Sequence, residues 1–158
     1  MKFFVIITMT IISFGIKSKV YSAEKMLTTL KKCQDSESLT KQYLAELKDE
    51  TKLSSVQIAY KAALESLMAK HAFNPFTKME YLKKSNVLYQ KSFEKDSNNI
   101  EMRFLRFNTQ SNLPAVFRKN ELIQTDVLFL NKVLENKNID VFLKKAIQES
   151  LDSFKTKS

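Results

Sequence analysis

Apolar residues recur at helical spacing in six or seven stretches of this chain, separated by polar, helix-breaking positions. Residues 24–33 form a short first stretch. Leu39, Tyr43 and Leu47 follow as an inner stripe, behind Asp35 or Ser36 as the cap. The charged run 48–52 reads as a loop. Ser54 or Ser55 then opens a helix that places Val56, Tyr60, Ala63, Leu64 and Leu67 on one face. Asn74-Pro75 supplies a cap residue and a proline at the first helical position. The helix it starts carries Leu82, Ser85, Tyr89 and Phe93 as a stripe. That helix should stop near Lys95, because Asp96-Ser97-Asn98-Asn99 competes with the helical backbone for its own hydrogen bonds. Asn98 with Glu101 three residues later has the form of a capping box, so the next helix starts at about Asn99. It ends at Asn112-Leu113-Pro114. Residues 121–134 make another helix. Asn138 can cap the last, where Leu143, Ile147 and Phe154 line up, and residues 155–158 read as a loose polar tail.

Composition agrees with that pattern. The chain has 158 residues, 44% of them hydrophobic and 27% charged, enough for one domain with one core. One glycine and two prolines leave little material for β-turns or phosphate-cradling loops. The expected fold is all-α: a single domain over residues 23–158, built as an antiparallel bundle of six to seven helices.

The stretch 85–110 is the piece around which the rest is arranged. Its turn, Asp96-Ser97-Asn98-Asn99, resembles the joint between two tetratricopeptide repeats, where Asp-Pro-Asn-Asn ends one helix. Ser85, Tyr89 and Ser92 fall at that repeat's small, aromatic and small positions. The resemblance covers about one and a half helices and implies a helical hairpin used for protein interaction. The repeat period of about 34 residues is not sustained, so the bundle is degenerate and only repeat-like. The text AYKAAL, then NNIEMRFLR and QSNLP, also resembles a group of small exported bacterial proteins of unknown function.

Where the next repeat would carry its Trp, Leu and Tyr, this chain has Arg103, Arg106 and Gln110. These three share one helical stripe beside the apolar Ile100, Phe104 and Phe107. Asp126 falls inside the apolar arc of the 121–134 helix, one turn from Leu122, Phe129 and Leu130. An unpaired buried carboxylate costs several kcal/mol, and arginine matches both its oxygens. Asp126 is therefore expected to pair with Arg103 or Arg106, two of only three arginines in the chain. Arg103, Arg106, Gln110 and Asp126 are the candidate binding residues or buried polar network.

Residues 1–22 resemble a signal peptide: Lys2, a 14-residue apolar run over 3–16, and Val20 and Ser22 as small residues before a cut at Ala23. The run is short for a membrane span, although Lys17 and Lys19 leave an uncleaved anchor open. Export to the periplasm or the outside is the expectation, with no stable span after cleavage. Loss of the leader removes three lysines and no acids, taking the net charge from +9 to +6. Lysine dominates that excess and no basic cluster interleaves with aromatics, so no nucleic-acid partner is expected. Attraction to anionic lipid or polysaccharide is a side reading. Cys33 stands alone, as a buried thiol or an intermolecular bridge.

Candidate chemistry is sparse. His71 is the single histidine, with no second ligand set beside it. No nucleophile elbow, zincin motif or phosphate loop is present. Lys61 and Glu65 read as a helix-supporting i, i+4 pair. No catalytic activity, metal or cofactor is expected. Phe73 and Phe76 flank Asn74-Pro75 in a link, where they either staple two helices or stand exposed. With Phe107 they form the candidate partner patch. Two functions fit: an adaptor of the cell envelope that holds a protein or peptide, or a carrier of a small molecule or anion in an arginine-lined cavity.

Overall fold

A computed structural model describes residues 22–136 and 138–157. Those residues form seven α-helices and two short 3-10 turns, without strands among the described residues. The helices are α1 (Ala23–Cys33), α2 (Glu37–Glu46), α3 (Ser55–His71), α4 (Pro75–Lys95), α5 (Ile100–Ser111), α6 (Asn120–Leu134) and α7 (Val141–Lys157). The fold is an all-α helical bundle. The leader-like segment, apart from Ser22, lies outside the described residues.

Most helix starts follow from local chemistry. The Ser36 hydroxyl accepts from Leu39 N–H and caps α2. Ser54 and Gln57 exchange side-chain-to-backbone bonds in a full capping box at α3. Asn74 caps α4 with Pro75 in its first turn. Two caps differ from the sequence expectation. Asp96 takes both the Asn98 N–H and the Asn99 side-chain amide, so the turn runs one residue further and Asn99 caps α5 by accepting from Met102. Glu101 is drawn elsewhere and closes no capping box. At α7 the cap is Asp140, whose carboxylate accepts from Leu143 N–H, and not Asn138. Residues 155–157, expected to be loose, continue α7.

α3 is the most enclosed helix. Ala59, Ala62, Ala63 and Ala69 are buried along it and let α4 lie close. The two run antiparallel: the Ser92 hydroxyl near the end of α4 donates to the Ser55 carbonyl at the start of α3. At the other end of α3, His71 Nε2 donates to the Cys33 carbonyl that closes α1, 2.9 Å away. Thr40, fully buried, donates to the same carbonyl. Cys33 is a free, buried thiol whose pKa burial pushes up.

The apolar interior is two clusters where one was expected. The first joins α1 to α4 and takes Met102 and Leu105 from α5. The second joins α6 and α7 around Phe104 and Phe107 from the same helix. At about 100° per residue these two pairs lie on opposite sides of α5. The stripe of Arg103, Arg106 and Gln110 runs between them. α5 is the wall shared by both cores, so its polar stripe is largely enclosed and reaches solvent only at the margins of Arg103 and Arg106.

Phe107 is fully buried and meets the Phe154 ring edge-on, with centroids 5.5 Å apart. It belongs to the second core and to no surface patch. Phe73 and Phe76 are 100% and 81% exposed, so they do not staple α3 to α4. Pro75 and the Asn74 cap turn the chain into α4 there, which leaves both rings outside.

Candidate polar clamp and the groove beside it

The two arginines and the aspartate meet between α4, α5 and α6. Arg106 grips Asp126 with two bonds, Nε to Oδ2 at 2.8 Å and Nη2 to Oδ1 at 2.7 Å. Arg103 Nη1 adds a third to Oδ1 at 3.1 Å. The Asp126 side chain is 0% exposed, against 14% for Arg103 and 13% for Arg106. Arg103 also donates through Nε to the Ser97 carbonyl, tying the α4–α5 turn to the cluster.

Aromatic rings close the sides. The Arg106 guanidinium lies 3.9 Å from the Phe93 centroid, and Arg103 sits 4.8 Å from Phe129 and 5.4 Å from Phe93. Every part of this arrangement suits arginine. A planar fork serves both carboxylate oxygens while its faces stack on phenyl rings, and a lysine ammonium does neither. The arrangement is a three-helix clamp in which one buried carboxylate anchors two cations.

Gln110 shares the stripe but not the clamp. Its Oε1 accepts from Lys119 N–H at 3.0 Å and its Nε2 donates to Asn86 Oδ1 at 3.4 Å. Lys119 offers α6 no side-chain cap, and the buried Gln110 satisfies that N-cap residue's own N–H from α5.

Beside the clamp, α4 and the start of α6 leave a groove of about 490 Å³. Asn86, Val87, Tyr89, Gln90, Phe93 and Glu94 form one wall, Lys119 and Leu122 the other, and Arg106 the floor. Val87 is 51% exposed on its rim. Tyr89 is buried; its hydroxyl meets Thr109 Oγ1 at 2.8 Å, and burial raises its pKa.

Two other polar contacts have little signal in the sequence. The Tyr60 hydroxyl donates to the Glu101 carboxylate across 41 positions of chain. Burial lifts the Glu101 pKa above the usual carboxylate range, the Tyr60 bond offsets part of that, and the Asp140 charge adds to it. Lys61 pairs with Glu50 at 2.9 Å, and Lys91 takes the second oxygen of the same carboxylate. The i, i+4 pairing of Lys61 with Glu65 therefore does not form. Glu65 is left with one oxygen lacking a hydrogen-bond partner, and burial raises its pKa.

Glu101 gives a pH test. The folded chain holds its proton more tightly than the unfolded chain, so this group's contribution to stability is full in acid. It is lost as pH rises through the folded value. Glu101→Gln keeps an acceptor for Tyr60 and removes the charge. The stability of Glu101→Gln minus that of the parent should rise from about pH 4 to about pH 8. Thermal melts across that range measure it, and a flat difference contradicts the assignment.

No cluster of three or more His, Cys, Asp or Glu side chains among the described residues is placed to hold a metal ion. No helix among them is long and apolar enough to cross a membrane. Compared with known proteins, the chain matches no family model, no curated protein and no solved structure.

Proposed function

We propose that this chain is an exported interaction module of the cell envelope, without catalytic activity, that holds a protein or peptide in the groove between α4 and α6. The observation carrying this reading is that Asp126 satisfies both arginines from within the fold. A site built to capture a small anion keeps its cations available, whereas these brace three helices and Arg106 floors the groove. The groove is amphipathic, with exposed Val87 and the Phe93 edge beside amides, Glu94, Lys119 and the Arg106 already paired with Asp126. Such a lining suits an extended or helical peptide segment. The leader-like residues 1–22 and the repeat-like α4–α5 joint support export and interaction respectively.

The alternative, a carrier of a small anion, rests on Arg106 and Lys119 facing the same groove. Affinity capture separates the two readings. The chain, tagged at its C-terminus and expressed in its own host, is purified from the envelope fraction. One partner is expected in near-stoichiometric amount, absent when Val87→Asp closes the groove with charge and retained in Phe73→Ser. No partner, together with a rise in Tm on adding acetate or phosphate, overturns the adaptor reading in favour of the carrier.

A further inference from the structure

Two large, exposed aromatic residues stand close in sequence at one tip of the bundle. Phe73 is 100% and Phe76 81% exposed, either side of the turn between α3 and α4. The Asn74 carboxamide oxygen accepts from Phe76 N–H at 2.8 Å and Pro75 occupies the first turn, so the backbone presenting both rings is fixed before any partner arrives. Four lysines lie at the same end of the bundle. Lys70, in the last turn of α3, donates to the Gln34 carbonyl at 2.9 Å, which brings the last turn of α1, with exposed Lys31 and Lys32, to the same end of the bundle. Lys78 lies two residues past Phe76. Of the nearby acids, Glu37 is paired with Lys41 at 2.7 Å, and Asp35 and Glu80 leave the four lysines in excess by two.

We propose that this tip docks on an anionic lipid surface, with Phe73 and Phe76 entering the headgroup region and Lys31, Lys32, Lys70 and Lys78 against the lipid charges. Charge complementarity selects that occupant. Area argues the same way. Two phenyl side chains offer about 300–500 Å², well short of the roughly 800 Å² per partner of a stable protein interface. A bilayer needs only a shallow apolar wedge ringed by cations. The docking is independent of the α4–α6 groove and would hold the module at a membrane with that groove free.

The chain contains no tryptophan, so Phe73→Trp installs a single local fluorophore at the tip. Val141→Trp is the control. Val141 is 82% exposed and follows Asp140, whose charge reaches Glu101 in the first turn of α5, bonded to Tyr60 in the first half of α3 and so toward the opposite end of the bundle. The full chain is mixed with phosphatidylcholine vesicles containing about one-third phosphatidylglycerol. A blue shift and quenching by brominated lipid are expected for Phe73→Trp, and neither for Val141→Trp. The response should disappear on pure phosphatidylcholine and in Phe73→Trp carrying Lys31→Glu and Lys32→Glu. Phe76→Trp serves if the first variant fails to fold. Because the readout is local, attachment through residues 3–16 alone leaves the tip fluorophore unquenched and overturns the proposal. So do an equal response at position 141, an equal response on neutral vesicles, or a shift that follows protein concentration without lipid and so marks self-association.

Discussion

Asp126→Ala should lose about 3–5 kcal/mol of folding stability, because it strands two desolvated guanidinium groups. The carboxylate accepts three bonds from Arg103 and Arg106 and is itself fully buried. In a thermal melt the loss corresponds to roughly 6–20 °C for a chain of this size. Replacing all three residues at once, with Arg103→Met, Arg106→Leu and Asp126→Leu, should recover most of the loss. The clamp's attraction largely offsets the cost of drying its charges, so an apolar triple of similar volume stands near parity. Asp126→Ala melting with the parent would sink the clamp as a structural element. A triple variant as unstable as Asp126→Ala would show that packing around the site, and not stranded charge, sets the cost.

Phe107→Ala should cost a similar amount, about 3–5 kcal/mol, for a different reason. The ring is fully buried among α6 and α7 side chains and meets Phe154 edge-on. Truncation leaves a cavity that the helices fill only in part, since α5 is pinned from its other side by Met102 and Leu105. Phe107→Leu should cost much less, as most of the volume remains. Urea denaturation of the three proteins measures this. A Phe107→Ala midpoint equal to that of Phe107→Leu would contradict a rigidly held second core.

The helices were legible because their stripes and caps are local: Ser36, Ser54 and Asn74 act within three residues of themselves. Asp126 was legible for another local reason. A carboxylate set in an apolar arc demands a cation, and the chain has few arginines to offer. What stayed hidden is set by tertiary contact. Glu101 leaves its expected capping role because Tyr60, 41 positions away, claims its carboxylate. Lys61 turns from Glu65 to Glu50 because the 3-10 turn at Glu50–Lys52 folds back over α3. Phe107 looked like one edge of an amphipathic helix. Only the second core on the far side of α5 shows why that helix is buried on both flanks. The exposure of Phe73, in a three-residue link, and of Phe76, in the first turn of α4, carries no periodicity and is fixed by how α3 and α4 meet.

The clamp is closed on its own carboxylate, and the arginine side chains themselves report that most directly. The chain has three arginines, Arg103, Arg106 and Arg118, so guanidinium nitrogen signals in a labelled sample separate without ambiguity. Arg118 is exposed and bonds through Nε to the Leu113 carbonyl, so its Nη groups serve as the internal reference. Slowly exchanging, dispersed signals are expected for Arg103 and Arg106, unmoved by millimolar acetate or phosphate and collapsed in Asp126→Asn. Signals for Arg103 and Arg106 that exchange as fast as those of Arg118, or that shift on adding either anion, would contradict it and open the arginines to a ligand.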